Sequence, residues 1–104
     1  MATKIIKNDI EYSVNDTLKL LVNVNGIEEG ATLRFIIAAG EETEYLIDNV
    51  YPLNSDGSTF TITLSEKDKK KIPIGDYNYK IILSKADGTV ITQKSGYFRV
   101  KWGA

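Results

Sequence analysis

Four runs of this chain alternate apolar and polar residues with a period of two, the signature of a pleated strand with one face on a core. In "TLKLLVNV", Leu18, Leu20, Val22 and Val24 face one way, and Lys19 and Asn23 face the other. In "ATLRFIIAA", Leu33, Phe35, Ile37 and Ala39 alternate with Thr32, Arg34 and Ile36. In "STFTITLS", Phe60, Ile62 and Leu64 alternate with Thr59, Thr61 and Thr63. In "YNYKIIL", Tyr77, Tyr79, Ile81 and Leu83 oppose Asn78 and Lys80. One dry face and one wet face per strand predicts antiparallel sheets packed face to face.

The connections carry turn residues. Asn25-Gly26, Gly30 and Gly40 separate the early runs, and Asp56-Gly57 and Asp87-Gly88 are hairpin signals, with Gly88 expected at positive φ. Turns recur every ~8–14 residues, the spacing of a sandwich or barrel. The chain has 104 residues and shows no repeat or linker, so residues 1–104 read as one domain. With 42% apolar residues it can bury a core without disulfides. The edge strands are expected in "TKIIKN" and "TEYLIDNV". One stretch breaks the alternation: Ser65 is a good N-cap, Glu66 and Asp68 suit a first helical turn, and Pro73 stops it. A single helical turn is expected to cross between the sheets there. Lys67, Lys69, Lys70 and Lys71 on it read as a solvated turn, against a basic binding patch diluted by the two carboxylates.

The "GDYNY" at Gly75–Tyr79 has the spacing of a tyrosine corner. In immunoglobulin-like sandwiches this tyrosine follows a small residue by two positions, opens the sixth strand and bonds back to the preceding crossover. Tyr77 takes that role. Tyr79 then fills the place where antibody domains put a cysteine. Gly96, alone inside the last run, predicts a bulge or close approach. Beyond it Phe98, Val100 and Trp102 alternate with Arg99 and Lys101 and return to the core. The expected fold is an all-β, immunoglobulin-like antiparallel β-sandwich of about seven strands, with a short helical turn before the sixth.

Chemistry is sparse. The chain contains no histidine and no cysteine, which removes the usual triads, thiolate nucleophiles and zinc sites. The near-neutral balance of 13 basic and 14 acidic residues argues against nucleic acid. The start "MATKIIKNDI" lacks a signal-peptide apolar region, and no run approaches the ~20 residues of a membrane helix. Glu41, Glu42, Glu44 and Asp48 offer carboxylates, but a glycosidase pair must face across a cleft, so a solvated loop is the simpler reading. Asn54, Asp56 and Ser58 resemble part of a calcium loop without its distal glutamate; a hairpin turn fits better. No catalytic, cofactor-binding or metal-ligating residue is assigned.

Several segments together resemble a known family. "YSVNDTLKLLVNVNG", "ATLRFII" and "DGSTFTITLSEKDKKKIPIGDYNYKIILSKADGTVITQKSGYFRV" are similar to small immunoglobulin-like domains of tailed-bacteriophage virion proteins. Their layout is similar to that of the N-terminal domain of baseplate upper proteins. The resemblance covers about residues 10–100 and implies a non-enzymatic structural or adaptor part of tail, baseplate or capsid. It implies other virion proteins as partners, assembly in the host cytoplasm and a place in the virion. A homo-oligomer, or a monomer that oligomerises on a virion partner through a sheet edge, is expected; a plain monomer with short twisted edges is the alternative. A second function is a carbohydrate- or host-surface-binding module, with Tyr45, Tyr51, Tyr97 and Trp102 as stacking rings.

Overall fold

Each of the four alternating runs forms a strand. The computed structural model describes residues 9–14, 16–24, 29–39 and 45–102, and the backbone of residues 4–6. The strands are β1 (Lys4–Ile6), β2 (Asp9–Ser13), β3 (Lys19–Asn23), β4 (Thr32–Ala38), β5 (Tyr45–Pro52), β6 (Thr59–Thr63), β7 (Gly75–Ser84) and β8 (Val90–Lys101), with helix α1 (Glu66–Lys69) before β7. A six-stranded sheet in the order β1-β2-β8-β7-β4-β5 packs on a two-stranded sheet, β3-β6. This is an all-β sandwich with immunoglobulin-like strand order. The large sheet is built around the strands named C, F and G in such folds, here β4, β7 and β8, and the small one holds B and E.

The count of about seven strands holds closely: the described residues form eight, because the N-terminal region splits into β1 and β2. One feature differs from expectation. β1 folds back antiparallel on β2, placing Lys4 opposite Glu11. β2 then runs parallel to β8, from Ile10 opposite Phe98 to Ser13 opposite Lys101, so the sheet is not purely antiparallel. A parallel pair needs a long crossover between its strands; here nearly the whole sandwich lies between them. The pairing buries Ile10 and Tyr12 against the core.

The core is threaded by rings. Tyr12 and Phe35 each lie 6.1 Å from Phe98, and Phe35 lies 6.2 Å from Tyr79. These four rings join β2, β8, β4 and β7. Their tilted and edge-on geometries are the favoured ones for aromatic pairs. Leu33, Phe35 and Ile37 point inward as expected, but Ala39 is exposed. Ile36, expected on the wet face, is buried too, because β4 lies between β5 and β7 in the large sheet.

The tyrosine corner is present. Tyr77 Oη donates to the Pro73 carbonyl at 2.5 Å. Tyr79 is buried, and desolvation pushes its phenol up to about 12. A second tyrosine latch, not anticipated, closes the other end of the chain: Tyr12 Oη donates to the Asp16 carbonyl at 2.5 Å. Tyr77→Phe and Tyr12→Phe should each cost about 0.5–1.5 kcal/mol, the net worth of one hydrogen bond. Denaturant melts of the two variants check this; a loss near zero at Tyr77 would deny the corner its role.

Ser65 caps α1 in a capping box, its side chain accepting from the Asp68 N–H while the Asp68 carboxylate takes the Ser65 N–H. The turn carries the chain from β6 in the small sheet to β7 in the large one. Gly88 has φ 93°, as its hairpin demands. Gly96 makes no bulge; it pairs in register with Tyr79. The irregularity sits three residues earlier, where Ile81 faces Lys94 and Ile82 faces Thr92, leaving Gln93 extra.

Candidate functional site

Among the described residues, those singled out in the sequence do not converge. Glu41, Glu42 and Glu44 lie outside the described residues. Asp48 stands on the outer face of β5 and receives both Arg34 Nε and Nη2, at 2.7 and 2.6 Å. That two-pronged bond from Arg34 holds the Asp48 carboxyl below its usual range. It ties β4 to β5 and leaves the carboxylate committed to structure. Lys69 pairs with Glu66 at 3.1 Å and Lys71 with Asp68 at 3.8 Å, so two of the four candidate patch lysines are matched within their own turn.

Asp56 is likewise spent locally. Its Oδ1 accepts from the Ser58 and Thr59 N–H groups at 2.9 and 3.0 Å, and its Oδ2 from Thr59 Oγ1 at 2.6 Å. These bonds, the Thr59 hydroxyl first, hold its carboxyl below the ordinary carboxylate range. Asn54 Nδ2 donates to Thr59 Oγ1 and Thr61 Oγ1. The "NSDGS" segment is thus a self-satisfied turn. A chelator is expected to leave the melting temperature unchanged; a drop of several degrees reversed by calcium would show that these oxygens serve a cation. Among the described residues, no group of three or more His, Cys, Asp or Glu is placed to hold a metal, and no helix is long and apolar enough to cross a membrane.

The four rings have different fates. Tyr51 is half-buried and its hydroxyl donates to the Thr63 carbonyl, tying β5 to β6. Trp102 does not return to the core; it follows β8 and is 77% exposed. Tyr45 and Tyr97 are exposed on the outer face of the large sheet. Arg34 lies 5.8 Å from the Tyr45 ring and Arg99 5.2 Å from the Tyr97 ring, both within cation–π range. Beside Tyr97, a shallow hollow of ≈ 250 Å³ is lined by Asn78, Lys80, Ser95 and Gly96 among others.

The strand edges show the clearest contrast. β1 and β5 bound the large sheet, where the sequence placed its edges. In the small sheet both strands are edges, and they are treated differently. The Val24 N–H donates to the Ser58 carbonyl at 3.1 Å. With Val22 opposite Phe60 and Leu20 opposite Ile62, the hydrogen-bonded pairs of β3 are its even-numbered residues. The N–H and C=O groups of Lys19, Leu21 and Asn23 therefore point away from β6. On β6 three of the corresponding outward groups are capped. Thr59 N–H is bound by Asp56, Thr59 O by the Asn54 N–H at 2.9 Å, and Thr63 O by Tyr51. On β3, among the described residues, no strand or side chain caps them.

That bare edge borders a groove of ≈ 500 Å³, whose lining includes Leu20, Val22, Ile10, Ile81, Gln93 and Lys94. Val22 and Val24 face inward, yet each is only half-buried against the core. Across the groove β8 is also open, because β2 pairs only with Phe98–Lys101. The Asp9 carboxylate accepts from the Tyr97 N–H at 3.2 Å, and toward Val90 no described strand lies on that side. Sequence reasoning missed this place, because β3 alternates in the same way whether it is covered or not. No family model, curated protein or solved structure matches the chain.

Proposed function

We propose that this domain is a non-enzymatic structural or adaptor part of a tailed-phage virion, acting through protein–protein contacts. The observation that carries the reading is the uncapped outer edge of β3 beside an open groove, in a molecule whose β6 edge is capped at three points. Bare strand edges are templates for another chain, and proteins that gain nothing from pairing cover them. The motif resemblance to small virion domains adds the class of partner. Virion parts also gain from modest repeated contacts, since assembly multiplies them through valency. The test is the protein composition of purified particles. The reading expects the chain at a fixed ratio to tail, baseplate or capsid proteins. Finding it only in the soluble lysate contradicts the reading.

A second reading, binding of host-surface carbohydrate, draws on the outer face, where Tyr97 stands over a hollow holding Asn78, Lys80 and Ser95. An exposed ring beside hydrogen-bonding side chains suits a sugar. Glycan binding that is lost in Tyr97→Ala, with the melting temperature unchanged, supports it. A flat glycan response removes it.

A further inference from the structure

We infer that the groove between β3 and β8 receives one extended segment of a partner protein, with apolar residues at alternate positions and carboxylates at its flanks. The inference deepens the assembly reading and rests on it for the partner being a protein.

The backbone specifies an extended strand. Lys19, Leu21 and Asn23 present N–H and C=O groups outward at every second residue, the repeat that a pairing strand satisfies. Inward-facing Val22 and Val24 are only partly buried beside them, so a strand laid there would also complete apolar burial. The groove is bounded by β3 of the small sheet on one side and by Gln93 and Lys94 of β8 on the other, where β2 no longer pairs with β8, so an extended chain laid along β3 lies between two open strands.

Charge selects the occupant's flanks. The two charged residues lining the groove, Lys19 and Lys94, are both basic. The chain's own N-terminal strand is already paired elsewhere: β1 lies antiparallel on β2, with Lys4 opposite Glu11. A foreign segment ending in glutamate or aspartate meets Lys19 and Lys94 favourably and replaces nothing already bound.

The experiment is an amide-shift titration of the full chain with a capped peptide of about six residues, alternating valine and threonine with glutamate at both ends. A matched peptide carries lysine in place of glutamate. Saturable shifts are expected at Lys19, Leu21, Asn23, Gln93 and Lys94, with the lysine peptide weaker by about tenfold. The double variant Lys19→Glu/Lys94→Glu should reverse that preference, its fold checked by its melting curve. If the variant does not fold, the comparison of the two peptides on the unaltered chain decides. Equal affinities, shifts confined to other strands or no saturable binding overturn the groove, and leave the assembly reading to the particle composition. Acid-selective binding by a chain missing from particles keeps the groove and removes the assembly reading.

Discussion

Phe98→Ala should lower the stability of the domain by about 3–5 kcal/mol, the usual cost of emptying a large buried ring site. Phe98 is fully buried, and its ring is the middle of the aromatic chain, 6.1 Å from both Tyr12 and Phe35. It faces Tyr77 on one side of β8 and Ile10 on the other. The change therefore loosens the parallel β2–β8 pair as well as opening a cavity. Domains of this size are stable by about 5–15 kcal/mol, so the variant should melt far below the parent or not fold at moderate temperature. Phe98→Leu, nearer in volume, should cost less than about 1.5 kcal/mol. Calorimetric melts of both separate the effects of volume and ring. A loss under 1 kcal/mol for the alanine variant would mean that the rings do not organise the core.

Alkaline unfolding should be the second large effect. Burial raises the phenols of Tyr12, Tyr51, Tyr77 and Tyr79 above their ordinary value, Tyr79 to about 12. The folded state thus holds protons that the unfolded chain releases near pH 10. This contribution is fully present below pH 10 and is lost as pH rises through the folded values. For Tyr79 alone, a shift from 10.0 to about 12 corresponds to roughly 2–3 kcal/mol. Phenolate absorbance followed together with circular dichroism checks it. The late-titrating phenols should ionise as the sheet signal collapses. Full ionisation of all tyrosines near pH 10 with the sheet intact would contradict the burial of these rings.

Local signals were legible wherever one residue's chemistry dictates one geometry. The Gly75–Tyr79 spacing located the corner, Ser65 located the helical turn, and Asp87-Gly88 located a hairpin. The alternation of Phe60, Ile62 and Leu64, and of Tyr77 to Leu83, marked buried faces correctly. What was hidden depends on partners distant in the chain. β2 offers only Ile10 and Tyr12 as apolar marks, too few to show a strand, and nothing local shows that its partner is parallel. The bulge at Gln93 arises from counting residues against β7, so a glycine three positions later drew the expectation instead. Trp102 continues a period of two past the end of β8 and is exposed there. The candidate site was illegible for the same reason. "KLLVN" reads identically as a central or an edge strand, and only the topology shows that its outer side is bare.

Amide hydrogen exchange along β3 tests the bare edge within five residues. In the isolated domain, the N–H groups of Leu20 and Val22 point to β6 and should exchange slowly. Those of Lys19, Leu21 and Asn23 point to the groove and should exchange fast. In assembled particles, or with the acid-ended peptide bound, the three fast amides should become slow. Equal protection of all five residues in the isolated domain would mean that the edge is already covered, and would contradict the account.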